Sequence, residues 1–214
     1  MRRPLQSRQT RWASALAGWL TRRQVRPNAI SLASILFAGL AGVCLAATGV
    51  ETPLPRSALL VLAAALMQAR LLCNLLDGMV AIEGGLKTAS GELYNDVPDR
   101  FSDLLILVGA GYGVTWGGWG PTIGWLAAVL AILTAYVRVL GVSVSTPAYF
   151  LGPMAKQHRM AVLTASCVIG AVEAALVQSY AGWAVGAALV AIVVGSAVTV
   201  RRRLGRIAGD LERT

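Results

Sequence analysis

The chain has 214 residues, of which 56% are hydrophobic and only 14% charged, and its net charge is +9. An average globular domain is about 45–50% apolar and about 25% charged, so this composition, with a mean hydropathy of +0.64, excludes a disordered chain, a water-soluble enzyme and a coiled coil. It points to an integral membrane protein of about one domain.

In chain order, residues 1–29 form a basic segment with seven Lys and Arg. Trp12, Leu16 and Trp19 or Leu20 recur at helical spacing, flanked by Arg8, Arg11, Arg22 and Arg23. The pattern fits an amphipathic helix lying on the inner membrane surface, or a plain basic anchor. No stretch reads as a cleavable signal peptide, because the first apolar run begins near residue 30 and has span length. A bilayer core of about 30 Å takes about 20 helical residues. Six segments suit that length: 30–48, 57–76, 100–116, 123–144, 159–177 and 183–200. Residues 30–200 thus read as a six-span membrane domain and 201–214 as a basic cytoplasmic tail. In that tail Arg201, Arg202, Arg203 and Arg206 read as a stop signal.

Orientation follows the positive-inside rule. With the N-terminus inside, the inner segments hold sixteen basic residues and the outer loops only Arg56, while Arg70 and Arg138 fall within spans. Both termini and the 77–100 loop are therefore expected to face the cytoplasm. The positive charge reflects topology and attraction to anionic lipid, which excludes nucleic acid as a partner. Trp116, Trp119, Trp125 and Trp183 at the outer ends fit an interfacial aromatic belt. Gly120/Gly124 and Gly182/Gly186 have the spacing of close helix association. Cys44, Cys73 and Cys167 sit in apolar runs without a CxxC pair and read as packing residues. His158 is the only histidine, so no His-pair or HExxH chemistry is available. Glu173, within the fifth span, has no role that the sequence assigns.

Only ten acidic residues are present, and five lie between Asp77 and Asp99, with Asp103 following. Asn74 and Asp77 are three apart at the inner end of the second span. Asn95 and Asp99 are four apart at the inner start of the third. Each pair shares a helix face, and the two ends meet across a cytoplasmic loop. Oxygen donors grouped in this way suit a hard divalent cation such as Mg²⁺. A solvated acidic loop would account for Glu83 and Glu92, but not for Asp77, Asp99 and Asp103 at span boundaries, where charge is costly.

The same stretch resembles the CDP-alcohol phosphotransferase family, whose pattern is D-x2-D-G-x2-A-R-x8-G-x3-D-x3-D. Here it reads Asn74-x2-Asp77-Gly78-x2-Ala81-Ile82-x8-Gly91-x3-Asn95-x3-Asp99, with every spacing kept. Pro27-Asn28-x2-Ser31 is similar to the family's PN-x2-[ST] before the first span. Tyr136 and Arg138 resemble its Tyr-x-Arg in the fourth span, and Gly152, Lys156 and Arg159 its basic segment before the fifth. Three positions depart: Asn74 and Asn95 replace aspartates, and Ile82 replaces an arginine.

The resemblance implies an all-α inner-membrane enzyme with six transmembrane helices and a cytoplasmic site, acting as a homodimer. It implies transfer of a phosphatidyl-type group from a CDP-linked lipid, such as CDP-diacylglycerol, to an alcohol acceptor, with release of CMP. Asp99 is implied as the general base. Asn74, Asp77, Asn95 and Asp99, with Asp96 as a substitute donor, are implied around Mg²⁺ or Mn²⁺. Gly78, Ala81 and Gly91 belong to the cytidine-nucleotide motif, Gly78 letting the nucleotide approach the backbone. Arg138, Lys156 and Arg159 are candidate phosphate binders. Arg70 shares a helix face with Asn74 and either binds phosphate in place of the lost arginine or pairs with Asp99 or Asp103. Two carboxylates and two amides carry about −2, so a one-metal or weak-metal site is expected. The alternative is a catalytically impaired relative that binds lipid or a partner protein.

Overall fold

The computed structural model describes residues 10–85, 91–176 and 180–213. Among them every regular element is helical: α1 (Arg11–Arg22), α2 (Pro27–Ala47), α3 (Arg56–Glu83), α4 (Gly91–Tyr112), α5 (Gly120–Ser143), α6 (Lys156–Leu176) and α7 (Trp183–Leu211). A 3-10 turn, Trp116–Gly118, joins α4 to α5. Prolines open α2 and α5, where a missing N–H costs nothing. At α7, Gly182 takes the left-handed conformation (φ 74°). The Glu173 carboxylate accepts hydrogen bonds from the N–H groups of Trp183 and Ala184, each at 3.2 Å. Glu173 therefore caps the positive end of α7 from α6, a role invisible in the sequence.

Five helices, α2, α3, α5, α6 and α7, are long and apolar enough to cross a membrane, which makes this a multi-pass membrane protein. The expected third span differs. α4 has 22 residues, but its first half carries Asp96, Asp99, Arg100 and Asp103. The six long helices close a ring in the order α2, α3, α6, α7, α5, α4, each packed on two neighbours. Leu60, Met67, Ile106, Leu107, Leu163, Leu189 and Ile192 fill its interior. α1 is a helix whose Ala13 and Ala17 pack against Ile30, Leu76, Met79 and Val80, while Trp12 and Trp19 stay exposed.

α4 is held by close glycine crossings. A Cβ on Gly109 would lie 2.6 Å from the Gly42 Cα of α2, and one on Gly111 would lie 2.8 Å from the Gly124 Cα of α5. The Gly120/Gly124 spacing thus serves a contact within the chain. Trp119, Trp125 and Trp183 are exposed, and Trp116 stacks on Trp183 with centroids 5.1 Å apart.

The helix does not stop at residue 200. α7 continues to Leu211, with Arg203 and Ile207 buried on the face that also carries Leu189, Ile192, Ser196 and Thr199. Arg203 is therefore an inward-facing residue and not part of a stop signal.

Replacing Gly109 with leucine should force α2 and α4 apart. Overpacking of this kind costs about 1–3 kcal/mol or more, so Gly109→Leu should lower the thermal unfolding midpoint in detergent, whereas the exposed change Gly205→Leu, with open space around it, should not.

Candidate active site

The charged ends of α3, α4 and α6 meet in one place. Asp103 is 1% exposed and lies between two buried guanidinium groups. Arg70 Nη2 donates to its Oδ1 at 3.0 Å, and Arg159 Nη2 to its Oδ2 at 2.8 Å. Arg159 also donates through Nη1 to the Thr134 hydroxyl (3.3 Å) and the Met154 carbonyl (3.2 Å). Of the two roles open to Arg70, its observed contacts are the ion pairs: the same Nη2 reaches Asp99 Oδ1 at 3.4 Å.

Asp99 stands one turn before Asp103 on α4. Its Oδ1 takes three donors: Arg70, the Asn74 amide of α3, and Lys156 Nζ of α6 at 2.5 Å. Its Oδ2 has only Arg100 Nη2 nearby, at 3.8 Å. Asp77, one turn after Asn74 on α3, is 5% exposed. Its Oδ2 accepts a 2.7 Å hydrogen bond from the Ser31 hydroxyl of α2, and its buried Oδ1 has no hydrogen-bond partner. The Pro27-Asn28-x2-Ser31 motif thus acts by tying α2 to Asp77. Asp96 is exposed and pairs with Arg138 of α5 at 3.1 Å. Pro98 lies inside α4 and cannot donate to the Tyr94 carbonyl, which loosens the turn carrying Asp96 and Asp99. The side chains of Glu83, Glu92 and Asn95 lie outside the described residues.

A cleft of about 160 Å³ opens over this network. Asp96 and Asp99 line it together with Arg100, Arg138, Lys156, Arg159 and Arg203. Phe150 closes one side, 5.7 Å under the Arg138 guanidinium. The turn before α6 is pinned to α7. Gly152 takes φ 111° against Thr199, the Met154 N–H donates to the Thr199 hydroxyl at 3.0 Å, and Arg203 Nε donates to the Leu151 carbonyl at 3.0 Å. Arg203 Nη1 donates to the Thr134 carbonyl at 2.5 Å. Arg203 is the lining residue that the sequence reading missed. The signal was its register, since positions 192, 196, 199 and 203 repeat with helical period on the buried face of α7. Gly78, buried beside Asp77, and Ala81 lie at the end of α3, and Gly91 starts α4; the three sit outside the lining of this cleft. Tyr136 is exposed.

Among the described residues no three His, Cys, Asp or Glu side chains converge into a metal cage. The donor set that remains is the unpartnered Asp77 Oδ1 and the carbonyl oxygen of Asn74, one turn apart. That set fits one hard cation completed by water or substrate oxygens, the usual habit of Mg²⁺.

The whole-chain comparison decides what the fold is. The structure matches Mycobacterium tuberculosis phosphatidylinositol phosphate synthase with CDP-DAG bound at a TM-score of 0.75, with 17% identity over 92% of this chain and 94% of that one. The chain shares the fold of phosphatidylinositol phosphate synthase. The same synthase in complex with manganese and citrate matches at 0.74 (16% identity, 91% of this chain, 88% of that one), and its apo form at 0.68 (17%, 89% and 93%). That synthase is a CDP-alcohol phosphotransferase, the family that the sequence motif resembles. No family model and no curated protein matches the sequence.

Asp103→Asn should strand Arg70 and Arg159 as buried charges short of a counter-ion. Breaking a buried pair from one side costs about 3–5 kcal/mol, so the variant should show a large fall in folded yield and thermal midpoint. An unchanged midpoint would mean that the cluster contributes nothing to stability.

Proposed function

We propose that this chain is a CDP-alcohol phosphotransferase that moves a phosphatidyl-type group from a CDP-linked lipid to an alcohol, releasing CMP, in phospholipid synthesis. The observation that carries the reading is Asp99: the motif acid implied as base sits on the wall of a basic cleft, in a fold shared with an enzyme solved with CDP-DAG. In this reading α4 is the sixth span, the protein works as a homodimer in the cell inner membrane, and the termini and the site face the cytoplasm. A site at the membrane surface suits the chemistry, because one substrate is held in lipid and CMP leaves into water.

Asp77, Asn74 and Asn95 are the residues that would hold a divalent cation, Mg²⁺ or Mn²⁺, with Gly78, Ala81 and Gly91 beside the nucleotide. Such a cation supplies charge neutralisation on the transferred phosphate and on the departing CMP. Asp99 Oδ2 takes the proton of the acceptor hydroxyl as that oxygen bonds to the lipid-bearing phosphorus and the bond to CMP breaks. Oδ2 is assigned because Oδ1 already takes three donors. Arg70, Asn74 and Lys156 hold the carboxylate so that Oδ2 faces the cleft, and Arg159 and Asp103 fix Arg70 in turn.

The lining favours an anionic acceptor. Five cationic side chains against two carboxylates suit a phosphorylated alcohol, such as glycerol phosphate or inositol phosphate, over serine, and disfavour choline. The partly exposed Arg138 can turn its fork to a phosphate, Arg203 has Nη2 left once Nε and Nη1 are taken, and the buried Arg159, held by Asp103, Thr134 and Met154, adds charge from behind.

The test is CMP release by the purified protein in lipid, with CDP-diacylglycerol, a divalent cation and separate phosphorylated and neutral alcohols. Release should depend on a phosphorylated acceptor and fall about 10²–10⁴-fold in Asp99→Asn. Release unaffected by Asp99→Asn would overturn the assignment of the base. Tight cytidine-nucleotide binding without release, in folded protein, would favour a different donor or acceptor, and neither release nor nucleotide binding would favour the impaired, lipid-binding alternative. In a second measurement, Arg203→Met should raise KM for the phosphorylated acceptor by about tenfold or more, the loss of one charged hydrogen bond of about 1.5–3 kcal/mol.

A further inference from the structure

The motif resembled by this chain has four carboxylates, and here two of its positions are amides. The structure gives the consequence a location. Asn74 cannot bridge cations as a carboxylate would; it donates its N–H to Asp99 Oδ1. The Lys156 ammonium lies 2.5 Å from the same oxygen, and Arg70 reaches it from below at 3.4 Å. Asp99 is therefore already neutralised by groups of the chain itself. Asp77 is in the opposite condition, with a buried Oδ1 that has no hydrogen-bond partner.

We infer that Lys156 takes at Asp99 the place of a second divalent cation, so that the chain binds a single divalent ion, at Asp77. The inference rests on the proposed function. Its physical basis is charge. Asp77, Asp99 and Asp103 carry three negative charges, and Arg70, Lys156 and Arg159, with the more distant Arg100, set four positive charges against the last two. A network with no negative charge to spare holds a divalent ion weakly, until the nucleotide diphosphate adds its own. Metal and nucleotide therefore bind together. An ammonium is a point charge with three donors, which can stand beside a carboxylate without the oxygen shell that Mg²⁺ requires. Lys156 is thereby a positioning residue, acting through Asp99.

The experiment is a Mn²⁺ titration of the full chain in lipid nanodiscs, with and without CDP, read by electron paramagnetic resonance and by calorimetry. The expected result is one Mn²⁺ per chain, no spin coupling between ions, and at least tenfold tighter Mn²⁺ binding when CDP is present. Two ions, none, or a coupled pair on the wild-type chain would overturn the inference. In the double variant Asn74→Asp/Lys156→Gln, a second Mn²⁺ and spin coupling are expected. A folded double variant that still takes one ion would overturn the inference, and if that variant does not fold the wild-type stoichiometry and coupling decide. Failure to bind CDP would overturn the proposed function and this inference together. CMP release by a chain with two ions would leave the function standing and remove the inference alone.

Discussion

Asp103 between Arg70 and Arg159 is the contact on which the rest of the site depends. Each of the three residues comes from a different helix, and each is at most 1% exposed. Taking such charges out of water costs several kcal/mol apiece, and only close pairing offsets that cost. One carboxylate between two guanidinium groups leaves an excess of positive charge, which Arg70 directs to Asp99. Thr134 and the Met154 carbonyl satisfy the other end of Arg159. The position of Asp99 is thus set from below by a buried ion triad and from the side by Asn74 and Lys156. Moving any one of α3, α4 or α6 by an ångström would disturb all of these bonds at once.

The fold brings the triad together by letting α4 lie very close to its neighbours. Glycine on both sides of the Gly42–Gly109 and Gly111–Gly124 crossings allows backbone-to-backbone approach, the way helices associate where lipid offers no hydrophobic driving force. The C-terminal half of α4 is apolar, with Gly109 and Gly111 at the crossings, and its N-terminal half is acidic. Composition alone disqualifies such a helix as a span, yet Asp99 and Asp103 face inward onto cations carried by α3 and α6, and the exposed Asp96 pairs with Arg138 of α5. The same polarity places the cleft at the charged end of the ring.

The sequence revealed most of the framework because its signals are local. Hydropathy gave six span-length segments, five of which are helices long and apolar enough to cross a membrane, and the acidic pairs Asn74/Asp77 and Asn95/Asp99 could be placed on helix faces by spacing alone. Ser31 was visible only as part of a motif; its bond to Asp77 is a contact across 46 positions. What stayed hidden are partnerships across long separations. Glu173 looked like an unexplained charge in a span and proves to cap α7. Arg203 looked like one of four arginines in a stop signal, because a cluster of like residues hides which of them lies on the buried face. Arg70 carried two roles in the sequence, and only the distance to Asp103 separates them. The α4 ambiguity has the same origin: hydropathy counts charges, but it does not count their partners.

Charge also explains how a site can lose two carboxylates and keep its shape. Removing a negative charge from a buried cluster would ordinarily leave the facing cations repelling one another. Here Asn74 lies one turn before Asp77 on α3 and bonds to Asp99 of α4, so an amide at this position is accommodated without rearranged helices. Asn74 keeps the length of aspartate and exchanges an acceptor for a donor, which lets it bond directly to Asp99 where two carboxylates would have repelled. The cleft above, with Arg100, Arg138, Lys156, Arg159 and Arg203 facing Asp96 and Asp99, then presents an excess of positive charge to whatever enters. Under the proposed function, the diphosphate of a CDP-linked donor and the phosphate of a phosphorylated acceptor would bring the negative charge that this lining lacks.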